Sequence, residues 1–328
     1  MTQRLVLPVC RKQTPDLARR RRLLQGAALG LGAWAALGAP TARAATAPAA
    51  PHRVVTMNWE LTETLLALGV TPVGVSLPDW YRNTVIEPPL PSSVADIGLL
   101  YQPNFDVLQM LHPDLFVITP GHAPAKASLQ RLAPTLTLAA YMSSPTPYQA
   151  LCDETAVLAA RLQRPEHASA LIEETARTAE AVRLRLGARP ALIAAPVLVA
   201  DLVDDRHLRV YGRGSLFDEM LAKLGVVNAA HPRSGQGTWA TQAGFALVPL
   251  QRLVEVQQAS LLLVGPIAAP LRAALARNMI WQALPAVREK RVATLPVIAP
   301  YGGLISMQRF ARAVDAALTL IASGGDVE

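Results

Sequence analysis

Residues 166–186 constrain the fold more than any other stretch of this sequence. Ala168, Leu171, Ile172, Thr175, Ala176, Ala179, Val182 and Leu186 recur there at a helical period, which predicts one long amphipathic helix over Glu166 to Leu186. At 1.5 Å per residue its span of about 21 residues gives a rod about 30 Å long. Pro165 suits its first turn, and Gly187-Ala188-Arg189-Pro190 ends it. A helix of that length must bury its apolar face against something. What lies on either side of it therefore decides the architecture.

On the amino-terminal side, Arg53-Val54-Val55-Thr56-Met57 predicts a strand. Trp59 to Leu68 predicts a helix stopped by Gly69, and Pro72 to Val75 a second short strand. A strand–helix–strand opening predicts a parallel sheet. Pro78 to Pro91 and Asp96 to Pro103 are expected to be loops. Asn104 is expected to cap a helix over Phe105 to Leu111, and Leu115-Phe116-Val117-Ile118 forms a buried strand that runs into Thr119 to Pro124.

The carboxyl-terminal side repeats the architecture but not the sequence. Ala191 to Ala200 and Leu261 to Val264 predict buried strands, Val210 to Gly214 a turn, and Arg291 to Leu295 an edge strand. Ser215 is expected to cap a helix over Leu216 to Leu224, and Ser306 to Ile321 is expected to close the fold. The expected fold class is α/β: two α/β lobes with mainly parallel sheets, joined by a single long backbone helix. The expected divisions are a leader over 1–44, a first lobe over 45–163, the helix over 164–188 and a second lobe over 189–328. The chain's 328 residues suffice for two such lobes.

The formal net charge of +7 belongs to the leader. Arg4, Arg11, Lys12, Arg19, Arg20, Arg21, Arg22 and Arg43 face only Asp16 there, leaving 23 basic and 23 acidic residues in the rest. The body is neutral, so the basic total is no argument for nucleic-acid binding, and no such partner is expected. A basic segment, an uncharged stretch from Leu23 to Pro40 and Ala42-Arg43-Ala44 predict an export signal cleaved after Ala44, and a periplasmic protein. Arg20-Arg21-Arg22-Leu23-Leu24-Gln25 resembles a twin-arginine signal. An ordinary secretory signal with surplus arginines is the other reading.

Of two cysteines, Cys10 falls in the leader and Cys152 in a helical pattern, so no internal disulfide is expected. His52, His112, His122, His167, His207 and His231 form no close ligand pair, and no metal site is expected. The chain lacks a P-loop, a zinc-protease H-E-x-x-H and a G-x-S-x-G elbow. Gly235-Gln236-Gly237 falls short of a dinucleotide fingerprint. Neither an enzyme nor a cofactor is expected. Aromatic and basic residues recur instead in segments expected at strand ends: Trp80, Tyr81, Arg82, Tyr101, His122, Arg213, Trp239 and Tyr301. Such residues beyond the carboxyl ends of parallel strands suit a large, partly apolar ligand. Trp59, with Trp80 and Trp239, is expected near the same cleft.

The order and spacing of several segments resemble the periplasmic ferric-hydroxamate binding proteins of siderophore uptake. These belong to the helix-backbone class that also holds the vitamin B12 binding protein. The segments include Leu65 to Gly69, Glu87-Pro88-Pro89-Leu90-Pro91, Asp96-Ile97-Gly98-Leu99, Ser215-Leu216-Phe217, Trp281 to Pro285 and Tyr301-Gly302, and the resemblance runs over essentially the whole chain. It implies a ligand cleft between two lobes that move little, and docking on an inner-membrane ABC permease with its ATPase. It also implies docking acids; the one expected in the first lobe falls at Ala127, beside Lys126.

The ligand pocket departs from the family. The family's hydroxamate-binding arginine falls at Leu100, its pocket tryptophans at Thr84 and Ala299, and a pocket tyrosine at His122, while Tyr301 is retained. Arg82, Arg213 or Arg233 is the expected replacement charge. The implied function is that of a monomeric binding protein for an Fe(III)–siderophore of hydroxamate type. Alternatives are a corrinoid or haem carrier with His122 as axial ligand, and an exported enzyme.

Overall fold

The computed structural model describes residues 50–231 and 239–324. The leader expected over 1–44, Arg233 and Gly235 to Gly237 lie outside them. Two five-stranded sheets form the framework. The first holds β1 (Val54–Thr56), β2 (Gly74–Val75), β3 (Ala95–Asp96), β4 (Leu115–Ile118) and β5 (Thr135–Thr137), in the order β3-β2-β1-β4-β5, and every pairing is parallel. The connections carry α1 (Trp59–Ala67), α2 (Pro78–Thr84), α3 (Phe105–Leu111) and α4 (Ala123–Gln130). The Asn58 side chain accepts from the Leu61 amide, and that of Asn104 from the Asp106 and Val107 amides. Each fills orphan donors at a helix start.

The expected loop at Pro78 to Pro91 begins instead with α2. Pro78 occupies a first-turn position, where its missing N–H costs nothing and its fixed φ is already helical.

After α5 (Pro147–Arg161) comes α6 (Pro165–Gly187), the expected long helix extended by one residue at each end. It buries Ala168, Leu171, Thr175, Ala179, Val182 and Leu186, but Thr178 is buried in place of Ala176, which is exposed. The second sheet contains β6 (Val197–Leu202), β7 (His207–Tyr211), β8 (Phe245–Pro249), β9 (Ser260–Val264) and β10 (Val292–Leu295), ordered β10-β9-β6-β7-β8. β10, β9 and β6 run parallel, whereas β7 and β8 are antiparallel additions.

Two expectations for this half are corrected. The strand expected over Ala191 to Ala200 starts only at Val197, after a 3₁₀ turn over Pro190–Ile193, because Pro190 and Pro196 have no N–H to give a ladder. Val210 and Tyr211, expected in a turn, end β7.

Strand residues alternate between two faces, and the alternation assigns each face to a core. Val54, Leu115 and Val117 of the first sheet, and Val197, Val199, Leu262 and Val264 of the second, point into one shared core. That core is filled by α6, by α7 (Leu216–Lys223) and by the closing helix, α11 (Leu304–Ala322); α8 (Ala269–Arg277), α9 (Met279–Ala283) and α10 (Pro285–Arg288) lie between β9 and β10. The opposite faces form separate cores: Val55, Met57, Phe116 and Ile118 in one, Leu198, Ala200, Leu261 and Leu263 in the other.

Polar ties cross the same seam. Arg185 and Arg189 of α6 pair with Asp315 of α11 at 2.8 and 2.7 Å. The Ser306 amide and hydroxyl of α11 donate to the buried Glu63 carboxylate of α1 at 2.8 and 2.6 Å.

Candidate functional site

A parallel sheet opens a crevice where neighbouring strands send their connections in opposite directions. In the first sheet that point lies between β1 and β4, and the chain leaving β1 enters α1 with Trp59 and Glu60. These two residues line a cavity of about 450 Å³, together with Trp80 and Thr84 of α2. The second sheet supplies the facing wall from Asp201 and Arg209 on β6 and β7, Gly265 to Ile267 after β9, and Val297 to Tyr301 after β10. The cavity therefore spans the carboxyl ends of strands from both sheets, with a volume in the range of small-molecule sites.

Its first wall is aromatic. Trp59 and Trp80 stack with ring centroids 5.5 Å apart, and the Trp59 indole N–H donates to the Ser76 carbonyl at 2.8 Å. Trp80 remains 53% exposed, so one face of the pair is open to a ligand. The second wall is polar. Asp201 and Arg209 stand directly opposite each other in the β6–β7 ladder, their side chains 3.4 Å apart. The Tyr211 hydroxyl also donates to Asp201 at 2.9 Å, and the Arg209 guanidinium lies 5.2 Å from the centre of the Phe245 ring. Burial pushes the Asp201 carboxyl up, against the pull of Arg209 and the Tyr211 hydroxyl. Tyr301 closes this side; its hydroxyl donates to Ala243 O at 3.1 Å, and its carbonyl accepts from Tyr141.

Of the eight residues singled out from the sequence, the cavity brings together Trp80 and Tyr301. Tyr81, one helical step past Trp80, turns inward. It is wholly buried with Val75, Val85 and Leu90, and its hydroxyl donates to Pro88 O at 2.7 Å. Burial holds its phenol far above the usual tyrosine range. Arg82 pairs with Asp79 and donates to Pro91 O, away from the cavity. Tyr101 is exposed and packs on His122, ring centroids 5.1 Å apart.

His122 is 2% exposed and engaged at both nitrogens: Nδ1 accepts from the Thr119 amide at 3.1 Å, and Nε2 bonds Leu100 O at 2.8 Å. Arg213 is exposed, and its carbonyl accepts from Thr241. Trp239 is buried, donates to Glu255 at 3.1 Å and lines a second cavity of about 490 Å³ with Phe245 and Arg252.

Thr84 and Ala299, where the resemblance places tryptophans, both line the first cavity. Among the described residues there is no group of three or more His, Cys, Asp or Glu placed to hold a metal, and no helix long and apolar enough to cross a membrane.

A family model described as a periplasmic binding protein matches residues 54–299. The chain belongs to the periplasmic binding protein family. It is 32% identical over 309 residues to the iron(3+)-hydroxamate-binding protein FhuD of Escherichia coli, covering 92% of this chain and 97% of that protein. Among solved structures it is similar to the Fe3+–Desferal-bound siderophore-binding protein FhuD of Vibrio cholerae. That similarity has 25% identity and a TM-score of 0.73, over 82% of this chain and 98% of that one. The petrobactin-binding protein YclQ of Bacillus subtilis shares the fold at 18% identity and a TM-score of 0.64, covering 83% and 93% of the two chains.

Sequence reasoning missed Glu60, Asp201 and Arg209 in this periplasmic binding protein. Glu60 was within reach, since it follows the first strand by four residues, where ligands gather. Asp201 and Arg209 carried no such signal. They become neighbours only through the register of an antiparallel pair, the end of whose second strand was expected to be a turn.

Proposed function

We propose that this protein binds an Fe(III)–siderophore complex of hydroxamate type in the cavity between its two sheets and presents it to the inner-membrane permease of an ABC importer. The observation that carries this reading is the cavity itself. An open tryptophan stack faces a charged cross-strand pair and Tyr301 across the carboxyl ends of both sheets. Aromatic faces suit the carbon skeleton of a bulky chelate, and Arg209 can donate to its oxygens. Likeness along nearly the whole chain to a hydroxamate-binding protein supports the cargo.

In this reading iron arrives inside its chelate and needs no ligand from the protein. The protein is a monomeric carrier rather than an enzyme. The leader over 1–44 directs it to the periplasm, and the two lobes divide at the long helix, 45–163 before it and 189–328 after. Of the eight residues named from the sequence, Trp80 and Tyr301 are proposed to touch the ligand, joined by Trp59 and Arg209.

Titration of tryptophan fluorescence tests the function. Ferric hydroxamates, a ferric catecholate, haem and vitamin B12 are added in turn to the purified protein. Saturable quenching by a ferric hydroxamate at micromolar or lower concentration is the expected result. Binding of haem or vitamin B12 with no response to any ferric chelate would overturn the cargo. With both nitrogens of His122 engaged, an axial bond from that residue is not expected.

A further inference from the structure

Among the charged groups lining the cavity, Glu60 stands apart. Asp201 and Arg209 compensate each other, and Asp201 also holds the Tyr211 hydroxyl. Glu60 Oε2 is shielded from water and has no hydrogen-bond partner among the described residues. A shielded acceptor left unpaired is costly, and such groups in native proteins call for an explanation. Here the residue is the second of α1, directly after β1, and lines the cavity beside the Trp59–Trp80 stack. A turn of the side chain that opens this oxygen to the cavity would let a donor or cation carried by the ligand complete it.

We infer that Glu60 is the charge-selecting residue of the cleft, favouring ferric chelates that carry an ammonium group over neutral or anionic ones. This rests on the proposed function. Three hydroxamates cancel the charge of Fe(III), so the chelate core is neutral and its periphery sets the sign. An ammonium at the cleft meets the Glu60 carboxylate, and its approach is helped by the faces of the adjacent indoles, which attract cations. A peripheral carboxylate meets the same group as a like charge at low dielectric. Arg209 does not reverse this preference, because Asp201 already balances it. Burial pushes the Glu60 carboxyl up, with hydrogen bonds from its own backbone and from Asn58 pulling the other way. A neighbouring ammonium would favour the ionised form, so cation binding and ionisation reinforce each other.

The test uses one linear trihydroxamate in three forms, all loaded with Fe(III): with its terminal primary amine free, N-acetylated, and N-succinylated. The wild-type protein is expected to bind the amine form roughly tenfold or more tighter than the acetyl form, as a charge-assisted hydrogen bond implies, and the succinyl form weakest. In Glu60→Gln the ratio of amine to acetyl affinity should shrink to within about threefold. Equal binding of the three forms by the wild type, with clear saturation, would overturn the inference and leave the function standing. A ranking that survives in Glu60→Gln would also overturn it. The wild-type series needs no variant to fold. If none of the three binds, the inference fails, and the titration with other ferric hydroxamates decides whether the proposed function fails with it.

Discussion

Glu60 and Glu63 lie one helical turn apart on α1 and meet opposite fates. Glu60 lines the cavity with one carboxylate oxygen unpaired among the described residues. Glu63 is buried in the seam behind the cavity, where the Ser306 amide and hydroxyl satisfy it. A Cβ added to Gly302 or Gly303 would stand 2.9 Å from a Glu63 oxygen, so only glycine lets the start of α11 approach this closely. The same side chain three residues apart thus serves two ends. Where its needs are met within the protein it joins the two sheets, and where one oxygen is left open it is the group inferred above to select the ligand. Both rest on the shared core, which makes the junction between the sheets a packed interior rather than a hinge strap.

The largest effect expected from breaking this contrast is on stability against pH. Burial raises the Glu63 carboxyl from 4.5 to about 7, against the pull of the Ser306 and Gly303 bonds, and nearby Glu60 pushes it further up. The folded protein therefore keeps a proton on Glu63 that the unfolded chain releases near pH 4.5. The stability this provides is complete below pH 4.5 and is lost as the pH rises through 7, by about 3 kcal/mol in all. Denaturant titrations from pH 4.5 to 8 should show that decline in the wild type. They should show a much flatter profile in Glu63→Gln, which keeps an acceptor for the Ser306 amide. Equal slopes in the two proteins would remove Glu63 from the account.

Gly303→Ala probes the same seam sterically. The new methyl would sit 2.9 Å from Glu63 Oε1 and 3.0 Å from Thr64 Oγ1. Overpacking of this kind is expected to lower stability by about 2 kcal/mol, with ligand affinity changed far less. Thermal melts and a ferric-chelate titration on one preparation separate the two effects. On the cleft side the balance reverses. Trp80→Ala removes an open aromatic face that the fold does not bury, so affinity for a ferric hydroxamate should fall roughly tenfold while the melting temperature barely moves. A large loss of stability with unchanged affinity would place Trp80 in the wrong half of the comparison.

The sequence disclosed the parts of this molecule whose signals are local. α3 and β4 fall at the expected residues, and α6 and α11 within two residues of theirs, because apolar periodicity and capping groups depend on the chain nearby. The parallel half of the second sheet was legible for the same reason, since fully buried strands read as apolar runs. β7 and β8 were not. His207 to Tyr211 alternates polar with buried residues, and one of its two pairing partners, β8, lies far along the chain. The site suffered most from this. Arg209 enters the cleft by ladder register, whereas Arg82, Arg213 and Tyr101 looked suitable by type and proximity but do not line it. Composition names the chemistry a cleft needs, but tertiary packing decides which copy of each residue is turned toward it.

Trp80 and Tyr81 put that lesson in its smallest form. They are consecutive on α2, and about 100° of helical rotation sends the first into the cleft and the second into the core. Tyr81→Phe keeps the ring and its packing and removes only the hydroxyl that donates to Pro88 O. A single neutral hydrogen bond contributes about 1 kcal/mol, so a small drop in stability is expected. The dissociation constant for a ferric hydroxamate should stay within about twofold of the wild type, because nothing on the cavity wall has changed. A tenfold loss of affinity in this variant, with its melting temperature preserved, would mean that the phenol reaches the ligand after all. The aromatic side of the cleft would then extend deeper than the Trp59–Trp80 stack.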